Sequence, residues 1–488
     1  MNRAVTGVAS LVPQLGCPWS GRATPLARTF LVALLAACSG EPSAPAGNAA
    51  EIIDASVAPG PHNVLSAVVQ VRVRGADEVA VAYSLEGATH VDSITPRVRV
   101  TRDSAAVPVL GLLPNRRYRV RVIAYAQHGT STRDGLTLTT GALPEDIPSY
   151  TGAGADPSPG YIVLAAGLYG LVIDNTGRVV WYRRFPRGPG LNFAAQPNGH
   201  YVARPPAANP ADPGHWVELD ALGNETRALP CSDGLRSRPH DLIAQPDGSY
   251  WLLCDESRVM DLTEFGGVAG AVVTGTAVQH NARDGTLLFR WSPFDHFAIT
   301  DVDVTERTGA AVNWTHGNAL DLDTDGNLIV SFRNLGEVTK IDVATGSVIW
   351  RFGGRRNQFD LSNASGASLP SFVGQHSARA YAPGAILLLD NIGDPNQSRA
   401  ERYVLDARAR SARLVQSYGS GPGVVTLIGG SVQDLPDDRT LVSFGTAGRV
   451  EEYDGSGRVV WRIDGHAGYV FRAQRIRSLY APGVGLTR

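Results

Sequence analysis

Short apolar segments separated by turns run through most of the chain. Between residues 51 and 143, hydrophobic and polar residues alternate with a period of two in segments such as AVVQVRVRG, EVAVAYSLE and YRVRVIAYA. This period is typical of strands that bury one face, and no helical period competes with it. The pattern predicts an all-β chain whose first folded part is a small β-sandwich.

From residue 161 onward, the chain repeats a unit of strands joined by tight turns. One copy reads LDLDTDGNLIVSFRNLGEVTKIDVATGSVIWRFGG, and a later copy reads SVQDLPDDRTLVSFGTAGRVEEYDGSGRVVWRIDG. Repeated four-stranded units are the building blocks of β-propellers. Six units are recognised, and they begin near Tyr161, Phe193, His240, His316, His376 and Ser431. The sequence therefore predicts a six-bladed β-propeller, with VFRAQRIRSL (470–479) completing the first blade.

The remaining segments complete the predicted domain plan. Residues 142–160, ALPEDIPSYTGAGADPSPG, are dense in Pro and Gly, which is typical of a linker. The plan is a signal peptide at 1–37, a tether at 38–50, a β-sandwich at 51–143, a linker at 144–160 and the propeller at 161–488. Within the propeller, DLDTDGN (321–327) is shorter than a calcium loop and lacks its terminal Glu, so it predicts a tight hairpin turn.

The N-terminal region predicts export. Arg28 precedes the apolar segment TFLVALLAAC (29–38), which is too short to span a bilayer. Its end resembles a bacterial lipobox, in which the signal peptide is cut before a cysteine that is then lipidated, here Cys38. An ordinary cleaved signal peptide is the alternative. We expect an exported cell-envelope lipoprotein, attached to a bacterial membrane by a lipid anchor at Cys38, with the side of the membrane left open.

The net charge and the cysteine count bear on the binding partners and on a possible disulfide. The chain has 44 basic and 46 acidic residues, a formal net charge of −2, whereas a nucleic-acid-binding protein needs a basic face. No nucleic-acid partner is therefore expected, and the oligomeric state is left open. If Cys17 leaves with the signal peptide and Cys38 carries lipid, Cys231 and Cys254 remain. In an exported protein these two could form a disulfide, with two separate buried thiols as the alternative.

The stretch LLPNRRYRVRV (112–122) resembles the LxPxxxYxVxV signature of fibronectin type III domains. In those domains the tyrosine, here Tyr118, makes a hydrogen bond at a corner of the sandwich. The resemblance implies that the sandwich positions the rest of the chain and carries no chemistry.

Three of the six repeat units open with a histidine: His240, His316 and His376. The first strand of a propeller blade lines the central channel, so residues at equivalent positions converge on the axis. A lone histidine is usually a hydrogen-bonded structural residue, but three in register indicate a shared site. Arg333, one strand after His316, would add a guanidinium suited to sulfate, phosphate or carboxylate.

The motifs around these residues resemble those of the arylsulfotransferase family, the aryl-sulfate sulfotransferases that do not use PAPS. The matching segments are HGNALDLDTDGNLIVSFRN, GSVIWRFGGRRNQF, FVGQHSARAY with ILLLDN, and SVQDLPDDRTLVSFG. The elements H-x-N, S-x-R, W-R-x-G-G and Q-H occur in the family's order, and the resemblance covers about residues 160–480. It implies a six-bladed propeller enzyme that moves a sulfuryl group from a phenolic sulfate donor to a phenolic acceptor, with no cofactor and no metal.

The resemblance also implies a role for each residue. His376, in Q-H, would be the nucleophile that is transiently sulfated. His316 and Arg333 would be catalytic and would hold the sulfuryl oxygens. From the chemistry of its side chain, His316 could also move a proton between the phenol oxygens. Asn318 and His240 would bind the sulfuryl oxygens.

Two positions depart from the family pattern. Asn334 follows the arginine of S-x-R, where the family often has His. The polar residue of the sixth blade has no certain counterpart, with Gln433 as a weak candidate.

Two other functions remain open at the level of the sequence. Three propeller histidines suit zinc, which would give a metal-dependent lyase or hydrolase. Arg333 would be unfavourable beside a dication unless it served an anionic substrate. A non-catalytic surface lipoprotein that binds a ligand is the second alternative, because propellers host many functions. The combined set of His, Asn and Arg argues against the second alternative.

Overall fold

The computed structural model describes residues 50–89 and 93–483 of the 488-residue chain. The expected signal peptide (1–37), the expected lipidation site Cys38 and nearly all of the expected tether lie outside the described residues. Across the described ranges the secondary structure is almost entirely strand, interrupted by 3-10 helices of three or four residues. The prediction of an all-β chain is confirmed.

None of the helices in the described part of the chain is long and apolar enough to cross a membrane.

Eight strands form two sheets between residues 51 and 139. Their bounds are β1 (Glu51–Pro59), β2 (Ser66–Arg74), β3 (Glu78–Leu85), β4 (Ser93–Ile94), β5 (Val98–Arg99), β6 (Ser104–Leu110), β7 (Arg117–Ala126) and β8 (Gly129–Thr139). One sheet has the order β1-β2-β6, and the other has the order β4-β3-β7-β8, with β5 also paired to β3. Val69, Val107 and Val122, from both sheets, meet in one core. The sheets pack face to face because alternate side chains on each strand point inward.

Tyr118 in β7 ties this sandwich to its own connecting loop. Its hydroxyl oxygen accepts a hydrogen bond from the backbone N–H of Leu113 at 2.8 Å. This is the kind of corner contact that the LxPxxxYxVxV pattern predicted. Two other tyrosines join the sandwich to the following sheets, because Tyr182 accepts from the N–H of Val64 and Tyr480 accepts from the N–H of Leu110.

The remaining strands lie between residues 152 and 476. Their bounds are β9 (Gly152–Ala153), β10 (Tyr161–Ala166), β11 (Tyr169–Ile173), β12 (Val179–Arg184), β13 (Phe193–Ala195), β14 (Tyr201–Ala203), β15 (Trp216–Leu219), β16 (Glu225–Leu229), β17 (Arg236–Ala244), β18 (Tyr250–Met260), β19 (Ala271–Asn281), β20 (Leu287–Trp291), β21 (Ala311–Asn313), β22 (Gly317–Leu322), β23 (Leu328–Phe332), β24 (Glu337–Ile341), β25 (Val348–Gly353), β26 (Asp360–Ser362), β27 (His376–Ala382), β28 (Ala385–Asp390), β29 (Arg399–Asp406), β30 (Ser411–Tyr418), β31 (Ser431–Leu435), β32 (Arg439–Ser443), β33 (Val450–Tyr453), β34 (Val459–Ile463) and β35 (Ala473–Ile476). The 3-10 helices are Thr263–Phe265, Pro293–Asp295, Ile299–Asp301, Val304–Arg307, Arg333–Leu335 and Gly445–Ala447.

These strands form six sheets, each built on four antiparallel strands. Sheet 1 has the order β12-β11-β10-β35, and sheets 2 to 6 are built from β13–β16, β17–β20, β22–β25, β27–β30 and β31–β34. Additional strands are β21 in sheet 3, β26 in sheet 5 and β9 in sheet 6. Four unit starts expected from the sequence, Tyr161, Phe193, His376 and Ser431, are first residues of strands, whereas β17 begins at Arg236 and β22 at Gly317.

The end of the chain completes sheet 1. Strand β35 pairs antiparallel with β10, with Ile476 opposite Tyr161 and Ala473 opposite Leu164. The pairing expected of residues 470–479 is thus present. Strand β35 also becomes the inner strand of sheet 1, the position that β13, β17, β22, β27 and β31 occupy in the other sheets.

Hydrogen bonds from side chains join the inner strands in a closed ring. In each case a side-chain oxygen accepts the backbone N–H of the next inner strand, at 2.7 to 3.2 Å. The acceptor and donor residues are Gln474 with Ala195, Gln196 with Ala244, Asp241 with Leu320, Asp321 with Ala380, Ser377 with Val432, and Gln433 with Arg475. The series returns to β35, where it began, so it holds the six sheets around one axis. We call it the inner ring.

The acidic segment 321–327 forms a hairpin turn between β22 and β23. Lys340, the single lysine of the chain, places its Nζ 2.6 Å from the carboxylates of both Asp323 and Asp325. An ammonium group therefore compensates the acidic turn, in keeping with the prediction of a turn rather than a calcium loop.

Part of the expected linker is a strand. Residues Gly152–Ala153 (β9) pair with β34 at the outer edge of sheet 6, with Gly152 opposite Ile463. A Cβ on Gly152 would lie 2.0 Å from the carbonyl oxygen of Asn175, so only glycine permits this approach. The linker thereby covers an exposed sheet edge.

Cys231 and Cys254 are joined in a disulfide. The bond connects the segment before β17 to β18 within sheet 3, the sheet that carries His240.

The inner ring leads to a prediction about stability. Gln433→Ala removes two contacts with the backbone of Arg475, one to N–H at 2.7 Å and one from Nε2 to the carbonyl at 3.1 Å. The free energy of unfolding should fall by about 1–3 kcal/mol, because buried backbone groups lose their partners. Denaturant titration of the purified protein measures this. The exposed Gln127 is the control, and Gln127→Ala should change the value by less than about 0.5 kcal/mol. Equal effects of the two substitutions would contradict the role of the ring.

Candidate active site

The three histidines lie where inner strands depart from regular pairing. The β17–β18 register shifts between Ser237 and Leu242, around His240. The registers of sheets 4 and 5 shift directly after His316 and His376. His316 itself has a φ of 47°, in the left-handed region that residues other than glycine rarely adopt. Irregular pairing of this kind changes the direction of a side chain relative to its sheet.

The structure brings the histidines together around Phe471. The ring centroids of His240 and His316 are 5.1 Å apart. Phe471 lies 5.7 Å from His240 and 6.3 Å from His376 by the same measure. His240 and His376 are buried and His316 is half-buried. The residues predicted from three different repeats therefore form one cluster.

Burial keeps all three imidazoles neutral. Removal from water is the main cause that lowers the pKa of His376 to about 4 and that of His316 to about 3, and the charge of Arg333 adds to it in both cases. Burial and Arg238 place the pKa of His240 well below its usual value of 6.5. At neutral pH each ring therefore has one N–H and one lone pair.

Both ring nitrogens of His376 have partners. Nδ1 lies 3.0 Å from the carbonyl oxygen of Gly374 and 2.9 Å from Oδ1 of Asn391. Nε2 lies 3.2 Å from the backbone nitrogen of Gly429, whose N–H donates to it. Nδ1 therefore faces two hydrogen-bond acceptors, whereas Nε2 faces a hydrogen-bond donor.

His316 is held by a pair of asparagines. Nδ2 of Asn313 donates to Nδ1 of His316 at 2.6 Å, which leaves the proton on Nε2. Nδ2 of Asn334 donates to the carbonyl oxygen of Asn313 at 2.6 Å, and its Oδ1 accepts from Arg333 at 3.2 Å. Asn334, where the sequence departs from the family pattern, therefore connects Arg333 to the residue that holds His316.

Arg333 stands beside His316 with spare donor capacity. Its backbone N–H donates to the carbonyl oxygen of His316 at 3.0 Å. Its guanidinium donates to two neutral oxygens, on Asn334 and Leu427, and its buried Nε has no hydrogen-bond partner among the described residues. Such a group is suited to bind an anion.

His240 also keeps an unused polar atom. Its Nδ1 is buried and has no hydrogen-bond partner within the described part of the chain. Nδ2 of Asn192 donates to its carbonyl oxygen at 3.0 Å and fixes the backbone. Arg238, two residues earlier, forms an ion pair with Asp255.

Asn318 is buried and contacts the segment that leads to His376. Its Nδ2 donates to the carbonyl oxygen of Gln375 at 2.7 Å, and its side chain is 1% exposed. Nε2 of Gln375 is in turn held by Ser331, Phe332 and Glu337. Asn318 therefore supports the residue before His376, and this contact uses one of the two N–H groups of its amide.

A cavity of about 400 Å³ lies next to the cluster. Pro239, Val272 and Val312 supply apolar parts of its wall, and the Arg238–Asp255 ion pair supplies charged parts. Asn313 connects the cavity to His316. Apolar walls that lead to a few polar groups suit an aromatic molecule with one polar end.

A larger cavity, of about 650 Å³, lies at the C-terminal ends of the inner strands. Arg379 and Arg472 line it, and both donate to the carboxylate of Asp241, at 2.7 and 2.9 Å. The two guanidinium groups keep the pKa of Asp241 at about 2 despite its burial. Asp241 directly follows His240, so this ionic cluster lies beside the histidine cluster. None of the residues that line either cavity is a histidine.

Among residues 50–89 and 93–483, no group of three or more His, Cys, Asp or Glu side chains is arranged to hold a metal ion. Nδ1 of His316 and both ring nitrogens of His376 already have protein partners. The donor geometry therefore does not favour the zinc alternative.

Four residues of the cluster were not identified from the sequence. Asn313 and Asn391 bind the rings of His316 and His376, Phe471 packs between rings, and Gly429 faces Nε2. The only available signals were polar residues at strand ends, such as Asn391 after ILLLD, and the pair Gly429–Gly430 before β31.

A family model described as Arylsulfotransferase (ASST) matches residues 127–467 of the chain. Among curated proteins, no relative gives a significant match.

Several solved structures show a remote similarity to this chain. A protein of unknown function from Bacteroides caccae is 14% identical, covers 66% of this chain and 100% of its own, and has a TM-score of 0.42. A catalytically inactive virginiamycin B lyase from Staphylococcus aureus is 9% identical, covers 64% and 87%, and has a TM-score of 0.36. A streptogramin B lyase is 11% identical, covers 70% and 88%, and has a TM-score of 0.37. With TM-scores below 0.5, these likenesses carry no argument about the fold or activity of this chain.

The unused donors of Arg333 predict that the site binds inorganic sulfate. Sulfate should raise the melting temperature more than chloride does at equal ionic strength. At a sulfate concentration of about ten times its Kd for the site, the free energy of unfolding should increase by about 1.4 kcal/mol. Arg333→Ala should abolish the specific part of this gain and leave the general salting effect of sulfate. Arg355, an exposed residue paired with Asp303, is the control, and Arg355→Ala should keep the full gain. A gain that survives in Arg333→Ala would show that sulfate binds elsewhere.

Proposed function

The chain belongs to the arylsulfotransferase family, and we propose that it transfers a sulfuryl group from a phenolic sulfate ester to a phenolic acceptor through a sulfated His376. Two observations carry this proposal. His376 is a buried, neutral imidazole whose Nε2 accepts a hydrogen bond from a backbone N–H. The same cluster contains Arg333, whose guanidinium keeps a buried N–H donor without a partner. A nucleophile and an anion-binding group are the two components that sulfuryl transfer requires.

In the first half-reaction, the lone pair on Nε2 of His376 forms a bond to sulfur. The bond from sulfur to the aryl oxygen breaks, and its electron pair leaves with the phenolate. In the second half-reaction, the acceptor phenol gives its proton to solvent, its oxygen attacks sulfur, the N–S bond breaks, and the electron pair of that bond returns to Nε2. Two steps allow one phenol to leave the cavity before the next enters.

Arg333 and His240 are positioned to bind the sulfuryl oxygens. Charge on these oxygens increases or redistributes in the transition state, and preorganised donors stabilise it without rearrangement. Nε of Arg333 and Nδ1 of His240 are the buried polar atoms without partners that a sulfuryl group could use.

His316 acts as a hydrogen-bond donor to the phenolic oxygen. Its Nε2 carries the proton, because Nδ1 accepts from Asn313. With a pKa of about 3, the ring does not hold a second proton at neutral pH, so the leaving phenol departs as phenolate. Donors with acidic phenols should therefore react faster than donors with basic ones, and His316 can assist a proton transfer only by hydrogen bonding.

Several broader features are part of the same proposal. We infer that the six sheets are the blades of one β-propeller and that the sandwich is of the fibronectin type III kind. The chain acts as an exported cell-envelope lipoprotein, anchored by lipid at Cys38, with no cofactor and no nucleic-acid partner. An enzyme outside the cytoplasm has no supply of PAPS, which agrees with a sulfate ester as the donor.

Incubation with para-nitrophenyl sulfate tests the reaction. Purified protein lacking residues 1–38 should release nitrophenolate in a manner that depends on added phenol and resists EDTA. After brief exposure to the donor alone, mass spectrometry should find a sulfuryl adduct on the peptide that contains His376, and His376→Ala should carry none. An adduct on another residue would refute the assignment of the nucleophile, and loss of turnover with EDTA would favour the metal-dependent alternative.

Arg333→Lys separates charge from geometry. Lysine retains the positive charge but not the planar fork, so the rate of nitrophenolate release should fall about 100-fold or more, as for the loss of one oxyanion donor. The surface substitution Arg355→Lys is the matched control and should leave the rate unchanged. Unchanged kinetics in Arg333→Lys would exclude a role for the guanidinium in transfer.

A further inference from the structure

The contacts around His376 point to a positioning residue that no motif assigns. We propose that Asn391 fixes the tautomer of His376, so that the proton stays on Nδ1 and the lone pair on Nε2 faces the reacting sulfur. The chemical consequence rests on the proposed function, whereas the tautomer itself is a property of the resting protein and can be measured without any reaction.

The partners of the ring determine the tautomer from both sides. Two oxygens, from Gly374 and Asn391, lie within 3.0 Å of Nδ1. An oxygen can only accept, so Nδ1 must carry the proton. The backbone N–H of Gly429 lies 3.2 Å from Nε2 and can only donate, so Nε2 must be unprotonated. The opposite tautomer would place a lone pair against two oxygens and a proton against an N–H.

The orientation of the Asn391 amide is also determined. Its Nδ2 donates to the carbonyl oxygens of Thr426 and Gly429, at 3.0 and 2.9 Å. These two acceptors require the nitrogen on their side, so the oxygen of the amide must face His376. Asn391 has no exposed surface, and a rotated amide would lose all these hydrogen bonds at once.

Asn391 also holds the segment that faces the other side of the ring. Ser398 connects the two, because its Oγ donates to the carbonyl oxygen of Asn391 at 2.6 Å and accepts from the N–H of Thr426 at 2.7 Å. The same short segment, residues 426–429, accepts hydrogen bonds from the Asn391 amide and supplies the backbone N–H that donates to Nε2 of His376. The buried side chain of Asn391 therefore binds Nδ1 directly and also positions the segment that binds Nε2.

The arrangement has a defined function during transfer. When Nε2 forms its bond to sulfur, positive charge develops on the ring, and the Nδ1 proton remains bound to the oxygens of Asn391 and Gly374. No proton leaves the ring, and the sulfated ring is neutral overall because the sulfuryl group carries one negative charge. The N–H of Gly429 loses its acceptor at the same moment and can donate to a sulfuryl oxygen instead.

Charged and titratable groups from the neighbouring sheets define how His376 responds to pH. Arg333 of sheet 4 lowers the pKa of His376, and His376 in turn lowers the pKa of His240 and His316. Asp390, the residue before Asn391, accepts the N–H groups of Val373 and Gly393 and faces the segment that leads to His376.

Two substitutions of Asn391 test the inference. Asn391→Ala removes one of the two acceptors at Nδ1, so the population with the proton on Nε2 should become measurable and the rate of the first nitrophenolate burst should fall about tenfold. Asn391→Asp places a carboxylate at Nδ1, which favours the charged imidazolium. The neutral, reactive ring is then lost at higher pH, so the acid limb of the burst rate should move up by about 1–3 pH units from its wild-type position near 4.

The tautomer is read by ¹⁵N NMR of protein labelled at histidine, with His376→Gln identifying the resonances. In the wild type, Nδ1 should show the shift of a protonated nitrogen and Nε2 that of an unprotonated one. Asn281, an equally buried asparagine that contacts Ser232 and Tyr250, is the control for general destabilisation. Asn281→Ala should change neither the tautomer nor the acid limb.

The outcomes distinguish this inference from the proposed function. A wild-type ring with its proton on Nε2, or variants that leave both the tautomer and the pH profile unchanged, would overturn the role of Asn391 even if His376 is sulfated. A ring with the assigned tautomer that forms no sulfuryl adduct would leave the role of Asn391 intact and overturn the proposed transfer.

Discussion

The structure depends on hydrogen bonds that connect sheets which share no backbone ladder. Each inner strand uses one polar side chain to accept an N–H from the next inner strand, and the six contacts return to their start. Packing between sheets is non-directional and leaves rotation about the axis free, whereas a hydrogen bond fixes distance and angle. The buried Asp241 belongs to this ring and also holds Arg379 and Arg472. The ring therefore fixes the relative positions of the strands that carry the histidines.

The cluster combines three neutral rings with one poorly compensated positive charge. Burial and Arg333 keep the imidazoles unprotonated, and neighbouring asparagines determine which nitrogen of two of them carries the proton. His376 presents a lone pair at Nε2 where His316 presents a proton. Chemically identical side chains can therefore have complementary roles, because their partners at Nδ1 differ: an amide oxygen for His376 and an amide nitrogen for His316.

The sequence predicted those features that depend on neighbouring residues or on the repeat period. Turn residues and alternating apolar positions predicted the strands, and the repeat period predicted that His240, His316 and His376 would converge. Partners across sheets could not be read in this way, because they depend on how irregular segments fold. Residues 419–430 between β30 and β31 bring Gly429 to His376, and nothing in their composition indicates that contact. Asn318 is a second example: its side chain contacts the backbone of Gln375, and its motif did not indicate that contact.

The closing strand has a consequence for the order of events during synthesis. Tyr161 pairs with Ile476, which is 476 − 161 = 315 residues later, so sheet 1 stays incomplete until residue 476 has been made. Phe471, which packs against two of the histidines, and Arg472, which binds Asp241, enter with the same segment. A ribosome-bound or prematurely terminated chain can contain every histidine of the cluster and still lack the wall that brings them together. A polypeptide must therefore extend through residue 476 before it contains every strand of sheet 1 and every residue of the cluster.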